Sequence, residues 1–329
     1  MRAQVTTIGD AMKDIFIFPA MDEMEGPIFK HHEKFLTLGY GEKITVADSH
    51  QDVGGTACNV AVGLSKLGIK TSLISVIGKD AEAQEIKERL EKFKVETEYV
   101  NESSKKKTSF SIIISYKGER SILVFHSFTP EDFIIPEDLE TDWIYVGPLG
   151  ENYRALYAKL VALASERNIK IALNPGAVQI HDGLLAFGGL LQVAKILFLN
   201  KDEAQKLAGL TGIATVKEIV YVLKKTGVET IVITDGKDGA YVSQEDKFLK
   251  IGPYPGHLLE STGAGDAFSS AFLSGTINEE DLFECLKWGV TNSASVIESY
   301  GAQQGLLNIA TIKRRVKEYR WPASTLRFS

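Results

Sequence analysis

The chain has 329 residues, 44% of them hydrophobic and 24% charged, with 29 glycines and a net charge of −6. That length is a soft prior for two domains, or one large α/β domain with an appendage, and the composition excludes disordered, collagen-like and coiled-coil classes. The balance of 37 basic against 43 acidic residues argues against a dedicated binder of nucleic acid or anionic membrane, and two isolated cysteines, Cys58 and Cys285, read as reduced thiols. The N-terminal run MRAQVTTIGDAMKD has no apolar stretch of signal length after Arg2, so the expected location is the cytoplasm. The most apolar window, Gly183 to Asn200, contains Gln192, Lys195 and three glycines, and predicts a short helix and a buried strand rather than a membrane span.

In chain order, short β-branched runs end in Gly, Asn or Asp: 5–9, 71–78, 142–147, 169–174, 194–200 and 229–236. Both faces of each are apolar, as in parallel strands covered by helices on two sides. Between them lie segments of helical period, among them Asn59 to Leu67, Ala81 to Phe93, Tyr153 to Arg167 and Asp202 to Leu207. The alternation predicts an α/β fold with a doubly wound, mostly parallel sheet. Two stretches break the rhythm. Thr108 to His126 reads as a hairpin around Lys117-Gly118, and Asp14 to about Gln51 is strand- and loop-like, with IFIF at 15–18 and KITVAD at 43–48. Together they predict a small β-sheet lid made of 14–51 and 107–126, on a core made of 1–13, 52–106 and 127–329. The stretch 311–329 receives no role.

The run Glu260 to Gly275, ESTGAGDAFSSAFLSG, carries chemistry. Gly263-Ala264-Gly265 lets a backbone approach a ligand closely, and the unpartnered N–H groups at a helix start make an anion site. Asp266 at the same end repels a static phosphate, but is suited to take a proton from a nucleophile attacking one. The competing reading is that Asp266 merely caps the helix. A dinucleotide fingerprint is disfavoured because Phe268 stands at the third glycine position, and no GxxxxGK[ST] exists for a P-loop. The run Gly54 to Gly68, GGTACNVAVGLSKLG, places Asn59 in the first turn of a helix, where a donor and an acceptor on one side chain suit a polyol. Its bland alternative is a tight turn with a helix-starting Asn. His31, His32 and His126 have no partner at ligand spacing and read as surface or packing residues.

These two runs resemble the signatures of the PfkB/ribokinase family of carbohydrate kinases. IGDAMKD puts Asp14 five residues after Gly9; IGKDAEAQEIKERLEKFKV, NKDE with Asn200 and Glu203, and ITDGKDGAYV with Thr234, Gly236 and Gly239 follow in the family's order. The resemblance implies an ATP-dependent kinase acting on a hydroxyl of a small sugar. Its implied anion hole is the backbone of Gly263, Ala264, Gly265 and Asp266, with Asp266 as general base. Substrate contacts are implied at Asp14, Gly54, Gly55 and Asn59, cofactor contacts at Asn200, Thr234, Gly236, Gly239 and Asn292, and Mg²⁺ near Glu203 through water. The small sheet is implied as a lid that also joins two copies in a homodimer.

Departures from the family pattern are Glu260, where Asp is usual, which leaves activation by potassium open, and Thr56-Ala57 in place of Lys-Gly. The loop after Gly54-Gly55 holds no basic residue before Lys66, so an unphosphorylated neutral sugar ranks first as substrate, with Lys107, Arg120 and His126 on the lid left open as cations that reach the site. A nucleoside ranks second, with Phe16, Phe18 or Phe128 available to stack on a base. A non-catalytic sugar-binding regulator of the same fold is the rival from another class.

Overall fold

The computed structural model describes residues 2–20, 29–32, 35–116, 119–321 and 327–328. The parallel part of its large sheet consists of β1 (Ala3–Ile8), β6 (Thr71–Ile77), β7 (Val100–Glu102), β10 (Thr141–Val146), β11 (Lys170–Leu173), β12 (Ala194–Asn200) and β13 (Thr230–Thr234). Three antiparallel strands extend one edge: β14 (Ala240–Gln244), β15 (Lys247–Ile251) and β16 (Arg327–Phe328). The order is β16-β15-β14-β13-β12-β11-β10-β1-β6-β7. The chain therefore winds outward from β1 through β6 and β7, then returns to β1's other side and winds the opposite way. That reversal opens a crevice at the carboxyl ends of the strands.

Strand alternation divides the core in two. On β10, Ile144 and Val146 join one apolar cluster while Trp143 and Tyr145 join another; β12 splits in the same way, Leu197 and Leu199 against Ile196 and Phe198. The first face is covered by α3 (Arg154–Arg167), α4 (Ala177–Asp182), α5 (Gly188–Val193), α6 (Lys201–Leu207) and α7 (Val216–Lys224). The second is covered by α1 (Thr56–Lys66), α2 (Ala81–Lys92), α8 (Ala264–Ile277) and α9 (Leu282–Val296), with α10 (Ile309–Glu318) packed behind α8 and α9. The doubly wound reading holds. The apolar window at Gly183 to Asn200 resolves into α5 and β12, and among the described residues no helix is long and apolar enough to cross a membrane.

A separate four-stranded sheet has the order β5-β2-β8-β9, with β2 (Met12–Pro19), β5 (Val46–Gly54), β8 (Phe110–Tyr116) and β9 (Glu119–Phe125). The expected hairpin is β8 and β9, paired from Phe110↔Phe125 to Tyr116↔Glu119; its turn at Lys117-Gly118 lies outside the described residues. A further ladder pairs β3 (Phe29–His32) with β4 (Phe35–Leu38). The chain passes between core and small sheet four times, from β7 to β8, from β9 to β10, where β1 runs into β2 and where β5 runs into α1. Glycine is required at this last junction. Gly55 has φ +91°, and a Cβ there would lie 2.3 Å from the Asp10 carbonyl oxygen; a Cβ on Gly54 would lie 1.9 Å from the Asp14 carboxylate.

Candidate active site

A cavity of about 450 Å³ lies between the two sheets, at the reversal point of the large one. Its lining includes residues at the carboxyl ends of successive strands: Asp10 after β1, Pro148 after β10, Asn174 after β11, Asn200 ending β12 and Thr234 ending β13. The small sheet supplies Asp14, Ser111, Arg120 and His126 from above.

The helix start is built as its sequence requires. Gly263 caps α8 in the left-handed region at φ +79°, and a Cβ there would lie 2.4 Å from that of Ala302. The Ala264 amide donates to the Ser261 carbonyl at 3.3 Å, so the amides that helix geometry leaves for an anion are those of Gly265 and Asp266. Asp266 is not the N-cap, a position that Gly263 holds; it lies in the first turn of α8. Its carboxylate turns to α1 and accepts Asn59 Nδ2 at 2.8 Å, together with the Thr56 hydroxyl. Burial pushes the Asp266 carboxyl up to about 7; the Asn59 bond works against that shift, and the Asp14 charge adds to it. A carboxyl poised near neutrality is what a general base needs.

Asp14 is 5% exposed on β2, where Ser111 Oγ donates to its Oδ1 at 2.6 Å and burial pushes the carboxyl up to about 6. Asp14, Gly55 and Asn59 line the cavity beside Asp266, while Gly54 makes room for the Asp14 carboxylate. Asn200 and Glu203 form a capping box on α6, with Asn200 Oδ1 accepting the Glu203 amide at 2.8 Å and Glu203 Oε2 accepting the Asn200 amide at 2.9 Å. Both residues also line the cavity, so the side chains that cap α6 are the ones that face it. Thr234, Gly236 and Gly239 border a smaller space of about 140 Å³ with Tyr254, Ala264, Gly265 and Phe268, and Thr234 and Gly265 line both spaces.

Asn292 is placed differently. It is fully buried on α9, its Nδ2 donating to the Ala267 carbonyl at 2.8 Å and its Oδ1 accepting the Leu307 amide at 2.9 Å, so its amide braces α9 against α8 and lines neither space. Phe16, Phe18 and Phe128 also miss the cavity: Phe16 packs near His50, Phe18 lies edge-on to Tyr300, and Phe128 joins the core. Its apolar wall is instead Met12, Ile113, Ile122 and Val124.

Three side chains have partners that the sequence did not identify. His126 is no mere packing residue, for its Nδ1 donates to Asp10 Oδ2 at 2.8 Å, a bond that raises the imidazole pKa. Arg120 on β9 bonds Ser261 Oγ, two residues before Gly263, and its charge acts on Asp266. Glu260 turns its carboxylate onto its own loop, accepting the amides of Ser261 at 2.9 Å and Thr262 at 3.0 Å.

A helix start with amides left over, a buried carboxylate in its first turn and a crevice at the switch point together are compatible with phosphoryl transfer. A family model described as pfkB family carbohydrate kinase matches residues 19–309. The ribokinase of Staphylococcus aureus is 26% identical over 289 residues, covering 83% of this chain and 93% of the relative. Among solved structures, the nucleoside kinase of Methanocaldococcus jannaschii superposes with a TM-score of 0.78 at 19% identity, covering 97% of this chain and 99% of that one. Arabidopsis thaliana ribokinase, solved with ribose and ATP, gives a TM-score of 0.77 at 19% identity, covering 97% and 100%. The chain belongs to the pfkB family of carbohydrate kinases, and it is a kinase of the ribokinase fold.

Proposed function

We infer that the protein transfers the γ-phosphoryl group of ATP to a hydroxyl of a small, unphosphorylated sugar. The observation that carries this reading is the placement of Asp266 between the anion-binding helix start and a polar pocket built from Asp14 and Asn59. In this reading Asp266 takes the proton of the attacking hydroxyl while the Gly265 and Asp266 amides, with Arg120, receive the charge of the transferring group. The ATP phosphates lie along Asn200, Thr234 and Gly265, and the base lies in the smaller space beside Gly236, Gly239 and Tyr254. Among the described residues no three His, Cys, Asp or Glu side chains cluster at metal-binding distance. Glu203, with Asn200 beside it, fits an ion of the Mg²⁺ type that takes most of its oxygens from water and phosphate. Bound there, Mg²⁺ supplies neutralising charge to the phosphates.

The substrate half of the cavity supports the neutral class. Asp10 and Asp14 both line it. Of the two cations among its lining residues, Arg120 is assigned to the transferring group and His126 is held by Asp10. A second phosphate would therefore meet carboxylates and no uncommitted cation among these groups. A nucleoside is the second reading, favoured by the aliphatic wall of Met12, Ile113, Ile122 and Val124, which suits the face of a base. We place the moving lid at residues 14–51 and 107–126, closing to exclude water. Leu123 and Phe125, alternating with cavity-lining Ile122 and Val124, are 58% and 47% exposed and support a homodimer through the lid.

ADP release on a panel of pentoses, hexoses, their monophosphates and nucleosides tests the reading. A free sugar is expected to exceed its monophosphate in kcat/KM by at least about tenfold, or about 1.4 kcal/mol of transition-state binding. A preference for the monophosphate overturns the neutral class, and the nucleoside arm decides between the two readings.

A further inference from the structure

Asp266 stands at the end of a hydrogen-bonded chain that runs through the protein away from the cavity. Asn59 Nδ2 donates to Asp266 Oδ2 at 2.8 Å, and Gln303 Nε2 donates to Asn59 Oδ1 at 2.9 Å. Arg89 Nη1 donates to Gln303 Oε1 at 3.1 Å, and Arg89 Nη2 donates to Asp52 Oδ1 at 2.5 Å. Gln304 Nε2 adds a donor to Asp52 Oδ2 at 3.3 Å. Asn59, Gln303 and Asp52 are each at most 4% exposed, so bulk water offers their amides and carboxylate little substitute. The members come from α1, α2, β5 and the loop after α9, and Asp52 is the cross-strand partner of Asp14 on the small sheet.

The chain has only one polarity. A guanidinium has donors and no acceptor, and an ionised carboxylate has acceptors and no donor. Arg89 therefore fixes which end of the Gln303 amide faces it: the oxygen. The nitrogen must then face Asn59, which must receive it with its own oxygen and turn its nitrogen to Asp266.

We propose that Gln303, oriented by Arg89, is a positioning residue for phosphoryl transfer, holding Asn59 so that it presents an N–H and never a carbonyl to Asp266. This rests on Asp266 being the general base. The consequence is chemical. An N–H facing the carboxylate favours its ionised form, the form that accepts a proton, whereas a carbonyl in the same place favours the protonated acid. Other groups facing Asp266 are Asp14 from β2, Arg120 from β9, Tyr145 from β10 and Thr56 from α1, and their influence is common to the native protein and the variants below.

Gln303→Glu is the sharpest test. It keeps the size of the side chain and the Arg89 contact but offers Asn59 a second acceptor, so Asn59 must turn its nitrogen to residue 303 and its oxygen to Asp266. Gln303→Met removes the restraint without imposing the reverse orientation, and serves if the charged variant folds poorly. Two readouts are taken: the pH profile of kcat/KM with ATP and the fastest sugar of the panel, and substrate-free infrared difference titration of the Asp266 carboxyl with Asp266→Asn subtracted. For Gln303→Glu the acid limb and the infrared midpoint are expected to move up by about one pH unit or more, with activity near neutrality down about tenfold and recovering at high pH. Gln303→Met is expected to move both in the same direction by less. A uniform loss at all pH values, or an infrared midpoint that stays in place in both variants, overturns the proposal. If Asp266→Asn keeps its activity, the assignment of the base fails instead, and the infrared midpoint of Gln303→Met, which adds no charge near Asp266, still tests the orientation of Asn59.

Discussion

The two sheets that meet at the active site are built on different terms. Every residue of β6 in the large sheet is buried, and both faces of β10 and β12 feed apolar clusters. The small sheet is covered on less of its surface, and four consecutive side chains of β9, Ile122 to Phe125, are 45% exposed or more. A helix packed on the large sheet, α8, supplies the helix start and Asp266; the small sheet supplies Asp14, Ser111, Arg120 and, just beyond β9, His126. A sheet packed on both faces holds groups rigidly enough for electrostatic catalysis, while a half-covered one is free to close on a ligand. The division predicts that core substitutions act on kcat and lid substitutions on closure and recognition.

The largest expected effect tests the core side. Asp266→Asn is expected to lower kcat by ~10²–10⁴. The same variant is expected to melt at a higher temperature near pH 7. The Asp266 carboxyl is raised in the folded state to about 7, above its ordinary value of 3.8. The native aspartate therefore costs no stability below its unfolded pKa and destabilises increasingly as pH rises towards its folded one, a cost that asparagine does not carry. Paired assays of turnover and melting temperature check both halves. Near-native kcat would move the base elsewhere, and a lowered melting temperature would show that the carboxylate holds the core together.

The same contrast decides what the sequence could show. The parallel strands were legible because burial on both faces leaves continuous apolar runs. The β8–β9 hairpin was legible because it interrupts them. The β14–β15 hairpin was not read: its turn uses Glu245 at φ +49° rather than a glycine, and polar residues such as Ser243 and Gln244 dilute the strand pattern. GAGD and GGTACN stood out because their small residues and the helix starts that follow are contiguous in the chain. Arg120 meets Ser261 across 141 positions and His126 meets Asp10 across 116, and no spacing encodes such contacts. Asn292 shows the converse error, a polar residue inside a family segment whose amide is spent on packing.

A smaller effect tests where the lid meets the core. Arg120 lies on β9 yet bonds the loop leading into the start of α8. Arg120→Ala is expected to lower kcat by about tenfold to a hundredfold, as for loss of a charge-assisted contact of ~1.5–3 kcal/mol, with the sugar KM nearly unchanged. Arg120→Lys is expected to restore part of it, since it keeps the charge but not the planar fork. If the sugar KM rises instead and kcat holds, Arg120 belongs to substrate recognition, and the neutral-substrate reading falls with it.

The smallest expected effect separates the sheets by pH. His126 follows β9 and its bond to Asp10 ties the lid to the end of β1; that bond raises the imidazole pKa above its ordinary 6.5. A raised histidine stabilises the bonded state fully below the unbonded pKa and loses that contribution as pH rises through the bonded one. Closure therefore weakens as pH rises above the ordinary 6.5, and the sugar KM is expected to rise a few-fold, roughly what a half-exposed pair is worth. Asp266 runs the other way: kcat rises as its carboxyl ionises through about 7. Opposite slopes in KM and kcat over one pH interval are thus the signature of a lid latch and a core base acting separately. His126→Gln keeps a hydrogen bond to Asp10 but does not titrate, so it is expected to flatten the KM slope and leave that of kcat in place. If both slopes survive, the latch is not His126; if both vanish, the two sheets titrate as one unit and the division between them fails.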